Sequence, residues 1–198
     1  AVFGNAADPV TGAALGRGFP HRIGADGVLR AVGVAGFDLT FTVPKSVSVV
    51  WALGDARTRA AVVAAHHCAI DQVMNVLEAR VVATRVGHAG ASRVTTRGVI
   101  APAFDHPDTR QADPNLHTHV VVANRVQGPD EKWRAIDARP LFAATVTLSE
   151  TYDALLTDEL ARTLPVEFGW RDRGPRRTPA FEVDGVDDRL LRLFSTRA

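Results

Sequence analysis

Two histidines one residue apart, His117 and His119, lie in the stretch Asp113-Pro114-Asn115-Leu116-His117-Thr118-His119-Val120-Val121-Val122. Asp-Pro-Asn reads as a turn, and the β-branched run after it reads as a strand. Strand alternation puts both imidazoles on one face, and Thr118 with Leu116, Val120 and Val122 on the other. Paired imidazoles make a poor core but good ligands, because neutral imidazole is the commonest metal donor among side chains. A third imidazole, His106, ends the run Val99 to His106. The polar, turn-rich segment from Pro107 to Asn115 allows a hairpin that lays His106 beside the other two. Three histidines with coordination positions to spare describe an open, catalytic type of metal site. The plainer alternative is the polar face of a surface strand, since an isolated H-x-H pair is a weak signal.

A carboxylate lies upstream. Phe37 to Val43 alternates cleanly, with Phe37, Leu39, Phe41 and Val43 on one side and Asp38, Thr40 and Thr42 on the other. Pro44 stops this strand, and Lys45-Ser46 follow. A basic residue and a hydroxyl at a strand-to-helix junction suit a phosphate, while Ser46 alone could cap a short helix through Leu53. Asp55 to Arg80 predicts a long helix capped by Asp55, with an apolar stripe of Val62, His66, Ala69, Val73 and Val76. On that stripe His66 reads as a packed histidine, and His67, His21 and His88 receive no role.

The remaining elements follow from similar patterns. Val81 to Arg85 is a short strand, and Arg93 to His106 a strand or strand pair. Arg93 and Arg97 either line a polar groove or form a solvated face. Trp133 to Ile136 is another short strand. Pro140 suits the first turn of a helix to about Leu164, with Leu141, Leu148, Tyr152 and Leu155 inward. Tyr152 is the chain's only tyrosine and reads as core. Phe168–Trp170 and Phe181–Asp184 form a candidate hairpin around a turn bearing Arg171, Arg173, Arg176 and Arg177. That turn either touches a nucleic-acid backbone or is simply solvated. A short helix over Asp187–Arg197 closes the chain. Residues 1–35 read as a loop-rich opening segment with one short strand near Val28 to Val34.

Length and composition set bounds. The 198 residues suit one domain, 1–198, with an ordinary hydrophobic fraction and a formal charge of +1. No run of about 18 apolar residues predicts a membrane span. One cysteine, Cys68, excludes an internal disulfide framework and fits a reducing, cytoplasmic setting. Cys68 is expected to pack as a small hydrophobe. Lys45 and Lys132 are the only lysines, so nearly all basic charge is arginine, the residue that grips phosphate bidentately. Codon usage offers an equally simple source for that bias. The chain begins at Ala1 rather than a methionine, as a fragment or processed chain would.

Strands interleaved with long helices predict an α+β fold: an antiparallel sheet with helices packed on one face, and Asp38 and the three histidines on the other. A metal held by three histidines polarises a phosphoryl oxygen, and a nearby carboxylate orients a histidine or accepts a proton. This is equipment for phosphodiester transfer.

Two long motifs give this chemistry a family. Gly36-Phe37-Asp38-Leu39-Thr40-Phe41-Thr42-Val43-Pro44-Lys45-Ser46-Val47-Ser48 resembles the signature of TrwC-type (MobF) conjugative relaxases. His106-x-x-x-Arg110-x-x-Asp113-Pro114-x-Leu116-His117-Thr118-His119 resembles their metal-binding motif. Ala65-His66 to Leu77-Glu78 and Trp133 to Asp137 are similar too, so the likeness runs from about Asp8 to Arg197. The resemblance implies an HUH-type, palm-like endonuclease fold and binding of single-stranded DNA at a plasmid transfer origin. It also implies a tyrosine that attacks the scissile phosphate, leaving a 5′-phosphotyrosine and a free 3′-hydroxyl.

In that scheme His106, His117 and His119 hold a divalent metal (Mg, Mn, Zn, Ni or Co), and Asp38 orients a histidine or takes the tyrosine's proton. Arg110, Lys45 and Ser46 contact phosphate in it; Arg93 and Arg97, read from the residues as lining a polar groove, are further candidate DNA contacts. Other conjugation proteins are the implied partners. The family's attacking tyrosines lie upstream of the segment where this chain begins, so an N-terminally truncated core is expected, with a sheet edge left open. Thr118 is polar where the HUH pattern has a hydrophobe. No GxxxxGK[ST] motif occurs, so no helicase module is expected within these residues. Two other classes stand beside the relaxase: a hydrolytic metal-dependent nuclease that uses bound water, and a non-catalytic metal- or DNA-binding remnant.

Overall fold

The computed structural model describes residues 1–18 and 21–195. It opens with α1 (Val2–Asn5), β1 (His21–Ile23), β2 (Leu29–Ala31) and β3 (Gly36–Thr42). Helices α2 (Lys45–Leu53) and α3 (Ala56–Val76) come next, α3 continuing into a π-helical turn at Leu77–Val81. Then follow β4 (Ala83–Val86), β5 (Ser92–Thr95), β6 (Ala103–Asp108), β7 (Pro114–Ala123), β8 (Val126–Gln127) and β9 (Trp133–Arg134). The chain closes with α4 (Ala138–Ala143), α5 (Thr145–Thr163), β10 (Phe168–Arg171), β11 (Ala180–Val183) and α6 (Asp188–Leu193). The fold is α+β, as expected. Among the described residues one three-stranded sheet has the order β3-β7-β6, and two-stranded antiparallel ladders pair β1 with β2, β4 with β5, β8 with β9 and β10 with β11.

The chain divides into two compact units: Ala1–Leu39, Asn75–Ala103 and Val120–Thr145 form one; Thr40–Met74, Phe104–His119 and Val146–Ala198 form the other. In the first, Val2, Leu15 and Ala123 are buried together with Phe3, Ile100 and Trp133 packed against them. Gly36 makes this packing possible, because a Cβ there would meet the Val122 carbonyl at 2.8 Å and Phe3 at 2.9 Å. Residues 1–35 therefore do more than the expected loop. They donate Val2, Ala6 and Leu15 to a core, which a segment rich in Gly and Ala does not advertise.

In the second unit the inward residues of α3 and α5 meet the inward residues of β3 and β7. Val62, His66, Ala69, Ile70 and Val73 are buried on α3, and Leu148, Tyr152, Leu156 and Leu160 on α5. Phe41 meets Tyr152 with ring centroids 5.2 Å apart. Asp55 caps α3 as expected, its Oδ1 accepting the Thr58 N–H at 2.8 Å. Helix α3 with its π turn is the one described helix with the length and composition to cross a bilayer, but its apolar stripe is core and carries the fully buried His66.

Several expectations shift in detail. Val76 and Cys68 are exposed rather than packed, and the α3 stripe ends instead on the buried Leu77. On α5 the buried position is Leu156, four residues after Tyr152, rather than Leu155. The long helix expected from Pro140 breaks at Ala144 into α4 and α5. Of the strand or strand pair expected over Arg93 to His106, the pair forms, as β5 and β6. The hairpin of Phe168 with Phe181 forms as predicted, Trp170 pairing with Phe181 and Phe168 with Val183. Helix α6 is capped by Asp187, whose Oδ1 accepts the Arg189 N–H at 2.6 Å, and it ends at Leu193; the predicted stretch to Arg197 reaches outside the described residues.

Candidate metal centre and the network behind it

The hairpin joining β6 to β7 brings the three imidazoles together. Thr109 N–H donates to the Asp113 carbonyl at 2.9 Å, and Ala112 takes a left-handed φ of 61° inside the turn. The ring centroids of His106, His117 and His119 lie 5.1 to 5.2 Å apart in all three pairs. Each ring offers one nitrogen, and the three nitrogens lie within 4.8 Å of one another, a set able to hold a metal ion. His106 is exposed and the other two half-buried, so the cluster opens to solvent. It lines a cleft of about 820 Å³ whose walls also include Asp108, Thr109, Arg110, Gln111 and Asn115.

The donor set fits a metal for a second reason. His117 Nδ1 lies 2.7 Å from the carbonyl oxygen of Asn115, which only an N–H can satisfy. That proton leaves the Nε2 lone pair outward, the tautomer a ligating histidine needs. The Asn115 side-chain nitrogen lies 3.2 Å from the same Nδ1, but the shorter carbonyl contact sets the tautomer. His119 Nδ1 meets the Thr40 hydroxyl at 3.2 Å.

Behind the same strand runs a buried polar chain. Thr118 and His66 are almost fully buried, and Tyr152 is nearly so. The carboxylate of Asp105 can only accept, so the Thr118 hydroxyl donates to it. Thr118 Oγ1 is then free to accept from His66 Nε2–H at 2.7 Å. His66 Nδ1 must in turn accept from the Tyr152 hydroxyl at 2.6 Å. The other Asp105 oxygen takes His67 Nε2 at 2.9 Å. Every member is satisfied and every proton direction follows from the carboxylate.

Burial and the neighbouring His67 push the His66 imidazole down to about 4, with Asp105 pulling the other way, so the ring is neutral at pH 7. Burial raises the Tyr152 phenol well above its ordinary range. Burial also works to raise Asp105, but the hydrogen bonds from Thr118 and His67 outweigh it and hold the carboxyl low.

The other expected site residues fall in different places. Arg110 is exposed on the cleft wall beside the imidazoles. Lys45 begins α2, and its ammonium donates to the Pro114 carbonyl at 2.7 Å, fastening the start of β7. Burial lowers the Lys45 ammonium, and the charges of Asp113 and Glu182 oppose that shift. Ser46 is a correction. It is fully buried, and Pro44 holds the N-cap position. Ser46 N–H (2.8 Å) and its hydroxyl both donate to the Glu182 carboxylate, and its Oγ accepts the Val183 N–H at 2.8 Å. Glu182 thus supplies the negative charge that the first turn of α2 favours, and no phosphate is needed there.

Asp38 is an exposed residue of β3. Arg93 is exposed on β5 and lines a separate cleft with Arg85, Asp137 and Arg139. Arg97 pairs with Glu131 at 3.3 Å. Asp105 and His67 had no role in the sequence reading. Strand alternation carried the signal for Asp105, which falls opposite His106 and therefore on the side of Thr118. Nothing local announced Glu182, which acts on a residue 136 positions away.

The model of the TrwC relaxase family matches residues 1–198. The multifunctional conjugation protein TraI of Escherichia coli is 40% identical over 104 residues, 52% of this chain and 6% of that protein. A conjugative relaxase TrwC, solved in complex with oriT DNA in a metal-bound structure, is 32% identical with a TM-score of 0.71, over 82% of this chain and 53% of that one. TrwC in complex with mutant oriT DNA is 28% identical with a TM-score of 0.75, over 99% of this chain and 64% of that one. The chain spans only part of each of these relatives. With the family matched from its first residue to its last, on a fold shared with TrwC, this chain belongs to the TrwC relaxase family.

Proposed function

We propose that residues 1–198 form a single relaxase core that binds a divalent metal through His106, His117 and His119 and takes single-stranded DNA of a transfer origin into the adjoining cleft for nicking and strand transfer. The convergence of three imidazoles in an open cleft with Arg110 on its wall carries this reading. The solved TrwC complexes with oriT DNA, one of them metal-bound, support it. Three nitrogen donors suit Zn, Mn, Ni or Co better than Mg, which prefers oxygen.

When bound, the metal would act as a Lewis acid on a phosphoryl oxygen. The protein's own part is positional. Asn115 fixes the His117 tautomer, Lys45 secures the start of β7, and Arg110 offers a bidentate fork to a non-bridging phosphate oxygen. Asp38 keeps the roles the signature implies, a carboxylate that orients a histidine or accepts a proton from the nucleophile. The attacking tyrosine is not Tyr152, whose hydroxyl is buried and engaged with His66. We assign the setting to the cytoplasm, with other conjugation proteins as partners.

The test combines calorimetric titration of Mn and Zn with a labelled strand from the transfer origin of the element that encodes the chain. Stoichiometric metal binding, and DNA retention that falls on chelation, are expected. On a denaturing gel the 198-residue chain should leave no covalent protein–DNA band. A band that Tyr152→Phe abolishes would overturn the assignment of Tyr152. Cleavage with no attached protein would favour hydrolysis by water instead. Failure to bind either metal would remove the basis of the proposal.

A further inference from the structure

The hairpin of β10 and β11 carries features that the metal centre does not use. Trp170 is 71% exposed, an unusual position for the largest apolar side chain. It is not a stray residue. Phe181 stands opposite it in register, with ring centroids 5.0 Å apart, and Phe168 stacks on Phe181 at 5.7 Å with planes 22° apart. The three rings share one face of the hairpin, from a half-buried base to an open tip. The turn that follows presents Arg173, Arg176 and Arg177 to solvent. Among the described residues none of these three side chains has a hydrogen bond or ion pair. The turn's one acid, Asp172, is occupied by the Gly174 N–H at 2.9 Å.

The hairpin is also held firmly at its base. Arg171 donates to Asp188 at 2.6 Å and to the Val186 carbonyl at 2.7 Å, tying β10 to the start of α6. Glu182 ties β11 to the first turn of α2. An exposed ring on an anchored strand gives up little entropy when something lies against it. A flat aromatic platform beside unpaired guanidinium groups matches one kind of occupant, a single strand with unstacked bases and a phosphate backbone. A protein partner would use the aromatic face but has no need of three free cations beside it.

We propose that this hairpin is a second contact for single-stranded nucleic acid, with a base stacked on Trp170 and phosphates on the arginine turn. The inference rests on the DNA-binding reading above and adds a site to it. The contact is sequence-tolerant, because every base offers a π-face and the turn reads only phosphate.

The test is a binding titration of the 198-residue chain with labelled oligothymidylate and with an abasic strand of equal length. Trp170→Ala should weaken oligothymidylate binding by roughly five- to a hundredfold and leave the abasic strand nearly unaffected, since stacking needs a base. Trp170→Phe should keep most of the affinity while abolishing the tryptophan fluorescence quench on binding. Arg176→Ala with Arg177→Ala should weaken both strands alike and flatten the salt dependence, by about 0.7 in log–log slope for each phosphate the turn no longer neutralises. If wild type binds and Trp170→Ala binds both strands equally well, the hairpin proposal falls and the metal-centre reading stands. If wild type binds neither strand, the hairpin proposal falls, and the metal-centre reading is decided separately by its own metal and transfer-origin titrations.

Discussion

Alternate residues of one strand, β7, have opposite fates. His117 and His119 are half-buried, line an open cleft and gather with His106 at centroid distances near 5 Å. Thr118, between them, is buried and sits in a hydrogen-bonded chain from Tyr152 through His66 to Asp105. Both faces contain histidine, but environment separates their jobs. Their place on an open cleft, and at His117 the outward Nε2 lone pair, suit the outer imidazoles to a ligand. Burial makes His66 a neutral relay whose two nitrogens are already spoken for. The strand therefore joins an open, cleft-facing side to a buried, hydrogen-bonded one, and changes on the two faces should be separable by experiment.

The largest expected effect is on the outer face. His117→Ala should weaken metal binding by more than about a hundredfold, because loss even of a ligand's supporting group costs 10- to 100-fold. Its unfolding free energy without metal should change by less than about 0.5 kcal/mol, as for most surface changes. Calorimetric metal titration beside urea unfolding checks both. A large stability loss would mean that the outer imidazoles are structural after all.

The inner face should answer to pH. His66 takes its proton near 4 when folded and near 6.5 when unfolded, so the unfolded chain binds that proton first. Its contribution is complete above about pH 6.5 and is lost as pH falls toward 4, by up to ~3 kcal/mol. Urea unfolding across this window should show the slope, and His66→Gln should flatten it.

Thr118→Val comes next. The two side chains have nearly the same shape, so packing survives, but the His66 N–H loses its acceptor and Asp105 a donor. A loss of about 1–3 kcal/mol is expected, with metal affinity changed far less than by His117→Ala. Comparable losses in both would show that the faces are not separable. The smallest effect belongs to Thr40→Val. It removes the 3.2 Å contact to His119 Nδ1 and should lower metal affinity by roughly tenfold or less, with stability unchanged.

Much of this strand was legible beforehand because a period of two is unambiguous when one face is apolar. His117 and His119 had to share a face, and Thr118 had to leave it. Tyr152 and His66 were recognisable as core from helical spacing. Their mutual hydrogen bond was not, since residues 86 positions apart meet only when two helices dock. Ser46 shows the opposite failure. A hydroxyl after Lys45 at a helix start suits both a cap and a phosphate, and the choice was made by Glu182 from a distant strand. The opening segment misled for a third reason: its packing depends on close backbone approach at Gly36 and on Val2 and Leu15, which carry no periodic signal.

Residue order alone determined which side chains face together along β3, β7 and α3, the presence of three imidazoles flanking a turn, and the family signature around Asp38. Those features are local, set by backbone period and turn chemistry. Tertiary structure alone decided the tautomer of His117, the neutrality of His66, the capping of α2 by Glu182 and the exposure of Trp170. Each of these depends on which atoms displace water around a group, and that is settled only when distant segments pack.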